Sequence, residues 1–281
     1  MRRRRNTAIA GAAVATDHTT PDITGRVGTR PIVVIGLGGI GVPVADALVR
    51  FLTFAHAGGT IWLVDGDRFE ERNRSRVLFD SGGNKALSKA KELAVTCDGH
   101  LAIVPVPKYV TPRNVHTLIE DGTIVFLAVD NHATRRCVSD RCRKLNEVLL
   151  ISGGNDAVEA DRHGTFGNVM IYERAGGRDV TSPLTRFHPE IARPADKRPD
   201  QLGCAALAES APQLLFTNLA VASAMLGAFY GWMLGRLEHE EVFLDIRQGR
   251  MVPVMRRAVP RGRSAAAASR TKSRSRRRLS G

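Results

Sequence analysis

Six residues, Gly36-Leu-Gly-Gly-Ile-Gly41, sit between a short apolar run and a helical repeat, and few folds accommodate that arrangement. Pro31 to Ile35 predicts a buried strand. Val44, Ala47, Leu48, Phe51 and Leu52 recur at helical spacing over Val42 to His56, and Gly58-Gly59 predicts the stop. Thr60 to Val64 predicts a second strand that ends on Asp65. Gly36, Gly38 and Gly41 fit G-x-G-x-x-G at the first turn of this strand–helix–strand unit. Glycines there let the backbone turn tightly and approach a phosphate, whose charge is met by amide N–H groups at the helix start. A carboxylate at the end of the second strand can hold a ribose hydroxyl. The pattern points to a nucleotide and serves NAD, FAD and ATP equally; a turn built only for packing is the plainer alternative.

Further apolar runs predict strands at Leu101–Val106, Thr123–Val129, Val148–Ile151 and Gly164–Tyr172, with an edge strand at Val242–Ile246. Helical patterns fall at Lys85–Thr96, Asn131–Asn146 and within Ala211–Gly235. Residues 173–203 are polar and hold four prolines, so they read as loop. Strands alternating with helices imply an α/β fold, a Rossmann-like and mainly parallel sheet with helices on both faces. At 281 residues, 43% apolar and 25% charged, the chain can bury a sizeable core, which excludes collagen-like, disulfide-scaffold and wholly disordered classes.

The net charge of +13 belongs to the ends. Residues 2–5 are all Arg, and from Arg256 onward there are nine Arg, one Lys and no acid, which leaves the middle close to neutral. A disordered basic lead is expected over 1–25, a single domain over 26–255 and a disordered Arg/Ser-rich tail over 256–281. The lead also has a basic patch followed by apolar residues up to Ala15, as an export signal would, but its apolar run is short and Ala-rich. Ala211–Gly235 has no charged residue and is long enough to span a bilayer. Its Pro212, Gln213, Asn218 and glycines favour a buried helix, and a membrane partner is not expected. Cys97, Cys137, Cys142 and Cys204 form no CxxC pair, so no zinc is expected, and the thiols fit a reducing cytoplasm.

The residues beyond Asp65 narrow the nucleotide. The chain reads Asp65-Gly-Asp67, then Asn73-Arg-Ser-Arg76, then Lys89 in the next helix, and later Asp130-Asn131 at a strand end with Arg135 beyond. In this order and spacing the chain resembles the ThiF/MoeB/HesA family, whose fold is shared by ubiquitin-activating enzymes. The resemblance covers roughly residues 27–152 and is weak beyond them. It implies an ATP-dependent adenylyltransferase acting with Mg²⁺ on the C-terminus of a ubiquitin-like or sulfur-carrier protein. Gly36, Gly38, Gly39 and Gly41 would cradle phosphate, Asp65 the ribose, and Asp67, Asn73 and Asn131 would line the nucleotide. Arg76 and Lys89 would offset phosphate charge, and Asp130 would hold the metal. The chemistry is coherent, because joining two anions needs fixed positive charge and a metal-holding carboxylate. Cys204, before the Ala-rich helix, would be the thiol that some members use covalently. Family members also form homodimers, and Gly227, Gly231 and Gly235, spaced by four, give one smooth helix strip that permits close approach of another helix, within the chain or from a second copy.

The plainer readings stand beside these. Arg76 lies among Arg68, Arg72 and Arg74, as in a solvated loop, Lys89 competes with Lys85 and Lys91, and Asp130 could cap the following helix. Two other functions stay open on the residues alone: a NAD- or FAD-binding oxidoreductase, and a noncatalytic nucleotide-binding protein whose basic tail binds nucleic acid. The tail has no aromatic residue for base stacking, so such binding would be nonspecific and salt-sensitive.

Overall fold

Strand β1 (Ile32–Ile35) is apolar at every position because both of its faces are covered. Ile32 and Val34 pack with Leu48, Leu52 and Val221 on one side, while Val33 and Ile35 pack with Val115 and Val138 on the other. The computed structural model describes residues 25–256 except 98, 157, 160–161 and 203–212. Nearly all of the expected basic lead and tail lies outside the described residues, and so does Cys204.

From β1 the chain forms α1 (Gly41–Phe54), β2 (Gly59–Val64), the ribbon of β3 (Arg68–Phe69) with β4 (Gly83–Asn84), α2 (Lys85–Ala94) and β5 (Leu101–Val106). It then crosses to α3 (Val115–Leu118), β6 (Ile124–Leu127), α4 (His132–Cys142) and β7 (Val148–Asn155). A small ribbon of β8 (Val158–Glu159) and β9 (Arg162–His163) leads into β10 (Phe166–Ala175), β11 (Arg178–Asp179) and the short α5 (Pro189–Ala192). The last elements are α6 (Leu215–Met233), β12 (His239–Asp245) and β13 (Arg250–Met255).

The main sheet has nine strands, with β11 attached to β10 and the others in the order β13-β12-β10-β7-β6-β1-β2-β5. From β5 to β7 all neighbours are parallel; β10, β12 and β13 extend the sheet antiparallel. Helices α1, α2 and α6 cover one face, and α3, α4 and α5 the other. After β1 the chain winds outward to β2 and β5, then returns to β6 on the opposite side of β1. The strand order therefore reverses between β1 and β6, which opens a crevice at their carboxyl ends where α/β folds bind ligands.

The expected elements are present, with ends moved by a few residues. One expectation is corrected. Val242–Ile246 falls on β12, which is not the edge of the sheet, because β13 pairs outside it. Every residue of β13 is exposed and Pro253 lies within it, as an edge strand allows. The stretch read as loop also holds β11 and α5, both short. Among the described residues α6 is the only helix long and apolar enough to cross a membrane, and its inner face packs on β7 and β10.

At the end of the sheet away from the crevice, Glu173 is buried and accepts hydrogen bonds from Trp232 Nε1 (2.9 Å), Arg256 (3.0 Å) and Arg26 (3.3 Å). One carboxylate thus joins α6 to both ends of the described chain. Glu173→Ala leaves those donors without their acceptor and should cost about 2 kcal/mol. In a domain of this size that is a fall in melting temperature of roughly 4–8 °C, readable by calorimetry. An unchanged melting temperature would assign the clasp no energetic role.

Candidate nucleotide-binding site

The glycine turn starts the site because β1 ends where the sheet divides. Gly36 has φ +89°, and a Cβ there would lie 2.6 Å from the Ala128 carbonyl oxygen. A Cβ on Gly41 would lie 1.7 Å from the Gly36 carbonyl oxygen. Gly36 thus permits contact between β1 and the end of β6, and Gly41 closes the turn onto α1. Gly36, Gly38 and Gly39 line the cleft above, whereas Gly41 does not.

That cleft has a volume of about 850 Å³ and also collects Asp65, Asp67, Asn73, Arg76, Lys85, Asp130 and Asn131 from four further segments. Asp65 is buried at the end of β2. Its Oδ2 accepts from Leu37 N (2.6 Å) and its Oδ1 from Asp67 N (2.8 Å), so it braces the glycine turn. Burial pushes its carboxyl above the ordinary range, against the pull of the Lys85 ammonium. Asn73 Oδ1 accepts from Glu70 N (2.9 Å), which closes the 3₁₀ turn Glu71–Ser75 and delivers Arg76 to the cleft.

Two residues that begin helices serve as caps. Asn84 Oδ1 accepts from Leu87 N, and its Nδ2 donates to the carbonyls of Asp65 and Asp67, both at 3.0 Å. Asn131 Oδ1 accepts from Thr134 N (2.8 Å) at the start of α4. The cap of α4 is therefore Asn131 and not Asp130. Asp130 stands exposed at the cleft, and its carboxylate makes no hydrogen bond among the described residues. Arg135 lies beneath, donating to Ser152 Oγ (3.0 Å) and to the carbonyls of Val129 and Gly153 (both 2.8 Å). Burial pulls its guanidinium down to about 10, so it stays charged at neutral pH.

Lys89 does not line the cleft. It is buried between α1 and α2, with Nζ 2.5 Å from Glu92 and 3.4 Å from Asp46. Lys85 occupies the cleft instead, 3.1 Å from Asp67. Lys85 and Lys89 share one face of α2, but four residues advance the helix about 6 Å. Asn84 caps α2 at the cleft, so the first residue of the helix meets the site and the residue one turn on meets α1. The Asn cap was the available signal for Lys85. Sequence reasoning also missed Tyr109, whose hydroxyl donates to Asp67 and whose ring covers Gly66 so closely that a Cβ there would lie 2.6 Å from it. Burial and the neighbouring Asp67 push that phenol well above its usual value.

The far end of the cleft is lined by Asn168, Met170, His188, Glu190, Lys197 and Phe243. His188 bridges Glu190 and Glu241, at 2.8 Å to each, and Asn168 Nδ2 donates to Glu241 Oε1 (3.1 Å). The Glu241 hydrogen bond, aided by Glu190, raises the His188 pKa against the effect of burial. A raised folded value means that this stabilisation is full below the ordinary histidine range, about pH 6.5, and is lost as pH climbs through the raised value. The stability gap between the unsubstituted chain and His188→Gln should therefore shrink between pH 6 and pH 9 in urea unfolding. A gap independent of pH would mean that the cluster leaves the imidazole's pKa at its unfolded value. Of the described cysteines, Cys142 is buried and its thiol is pushed up to about 12 by burial, which leaves it a poor nucleophile.

A turn of glycines at the reversal point of a parallel sheet, with an acid at the next strand end and an Asp-Asn pair opposite, is the arrangement of a known family. This chain belongs to the ThiF family, whose model matches residues 17–247. It is 34% identical over 144 residues to the adenylyltransferase and sulfurtransferase uba4 of Aspergillus fumigatus, covering 50% of this chain and 26% of that one. It is 29% identical over 140 residues to the SAMP-activating enzyme E1 of Haloferax volcanii, covering 49% of this chain and 50% of the relative. The chain thus spans between about a quarter and a half of these curated relatives. Two solved structures share the fold at a TM-score of 0.60: PaaA, at 17% identity over 83% of this chain and 66% of that one, and E. coli MccB with ATP, at 16% over 84% and 67%.

Proposed function

We propose that this chain is an ATP-dependent adenylyltransferase acting on the C-terminal carboxylate of a ubiquitin-like or sulfur-carrier protein. The observation that carries the reading is the convergence of the glycine turn, Arg76, Lys85 and Asp130 on one cleft in a ThiF-family chain. Residues 26–255 would form the adenylation domain. The far end of the cleft, from Gly154 to Phe243, would admit the carrier's tail.

In the reaction a carboxylate oxygen of the carrier forms a bond to the α-phosphorus of ATP. The bond from that phosphorus to the oxygen bridging the β-phosphate breaks, and pyrophosphate leaves with the electron pair. Both reactants are anions, so the fixed charges of Arg76 and Lys85 lower the repulsion between them and offset charge on the phosphates. Asp65 would hold the ribose from beneath while bracing the turn. Asp130 would hold Mg²⁺, which takes one or two carboxylates along with substrate phosphates and supplies positive charge on the phosphate oxygens. A homodimer is part of this reading through the family, and sedimentation velocity would check it.

The test compares ligands and then turnover. ATP·Mg²⁺ should raise the melting temperature where NAD and FAD do not, and pyrophosphate should exchange into ATP only when a carrier ending in Gly-Gly is present. Stabilisation by NAD or FAD, without ATP, would replace this reading with the oxidoreductase.

A further inference from the structure

The glycine turn has an unusual neighbour beneath it. Asn218, in the first turns of α6, is fully buried, and both amide atoms, Oδ1 and Nδ2, are without a hydrogen-bond partner among the described residues. The amide stands directly against Gly39. A Cβ on Gly39 would lie 2.0 Å from Asn218 Nδ2 and 2.8 Å from its Cγ. Gly39 lines the cleft with its other side. A single residue of backbone therefore separates Asn218 from the space that the nucleotide reading fills.

The neighbours of Asn218 make the amide more conspicuous. Thr217, beside it and equally buried, donates its hydroxyl to the Gly164 carbonyl at 2.6 Å. The rest of the inner face of α6 is apolar, with Val221, Ala222, Met225 and Phe229 packed in the core. Leucine has nearly the same shape as asparagine and would meet the packing requirement without a desolvation penalty. A buried amide with no partner is costly, and such groups are tolerated where another state of the protein satisfies them. The upper side of the turn is held already, since Leu37 N donates to Asp65 and Val42 N to the Gly38 carbonyl. Between those anchors the Gly39 carbonyl faces Pro43, which has no N–H to give, so the Gly39 peptide is the part with freedom to reorient, and Gly39 is the residue that touches Asn218.

We propose that Asn218 is a positioning residue for the nucleotide: when phosphate enters the turn, the Gly39 backbone re-seats on Asn218, whose amide then gains its hydrogen bonds. Asn218 does not touch the ligand and acts through the turn. The unpaired amide of the free protein makes the free form less stable and so favours the bound form. This rests on the nucleotide reading above and adds to it a residue from the other end of the chain.

The experiment measures two quantities on the full-length chain: the melting temperature without ligand, and the Kd for ATP·Mg²⁺ by titration calorimetry. Asn218→Leu should raise the melting temperature of the free protein by a few degrees while weakening ATP about tenfold. A purely structural residue would not move those two quantities in opposite senses. Asn218→Ala, which introduces no bulk near Gly39, should weaken ATP to a similar degree and serves if the leucine crowds the turn. Unchanged ATP affinity in both variants overturns the proposal, and so does a lower melting temperature for Asn218→Leu with ATP affinity unchanged in Asn218→Ala, since the amide would then serve the free protein. Failure of the unsubstituted chain to bind ATP sinks the nucleotide reading and this proposal together, whereas the other two outcomes sink this proposal alone.

Discussion

Arg76→Ala is expected to lower carrier-dependent pyrophosphate exchange by about 10²-fold or more, the usual loss when one preorganised donor is removed from a developing negative charge. The guanidinium follows the 3₁₀ turn that Asn73 closes, and it faces the same cleft as Gly36, Gly38 and Gly39. Its removal leaves the local backbone intact, because the turn is held by Asn73 and Glu70. The melting temperature should accordingly stay within about 2 °C, at most about one kcal/mol for a domain of this size. Asp130→Asn should lower exchange by a comparable factor. It preserves shape and leaves the α4 cap on Asn131, so the change isolates the charge. Near-normal exchange in both variants, with intact folding, would show that the cleft does not work on phosphates.

The second large effect separates two lysines on one helix face. Lys85→Ala should reduce exchange by about 10²-fold, since its ammonium lies in the cleft. Lys89→Ala should act on stability. It strips the counter-charge from Glu92 and Asp46, and Asp46 already has a pKa raised by burial between the helices. Glu92 keeps its hydrogen bond from Asp80 N (2.7 Å) and Asp46 is partly exposed, so the lost counter-charge should cost about 1–2 kcal/mol, a drop in melting temperature of roughly 2–8 °C. Exchange at 25 °C should survive in Lys89→Ala to within about threefold, because α2 is anchored to the site by Asn84. If instead Lys89→Ala abolished exchange without loss of stability, the cleft would have been assigned to the wrong face of α2.

These two lysines also mark the limit of what residue order reveals. The first strand, glycine turn and helix are legible because each depends on local chemistry: apolar residues for a doubly covered strand, glycine where φ is positive, and helical spacing after it. Asp65 and Asp130 are legible for the same reason, as acids at strand ends. The choice of Lys89 relied on counting from Arg76, and a count cannot register that β4, between the two, turns back to pair with β3 upstream of Arg76. Edge strand β13 has no buried face, so no alternation distinguishes Arg250–Met255 from the basic tail after it. The cluster of Asn168, His188 and Glu241 draws on three distant segments, and its logic exists only once β10 and β12 pair. Asn218 reads as one more small polar residue in an apolar helix until Gly39 is seen against it.

The Glu173 clasp has a practical corollary for engineering. Because Arg26 and Arg256 share one carboxylate, the two ends of the described chain lie within reach of a linker of a few residues. A circular permutant could join them there and be reopened at the hairpin around Gly249, which has open space beside it. Reporter or capture modules grafted at residues 26 and 256 would sit on the pole opposite the cleft, and two such modules could be brought together without obstructing it.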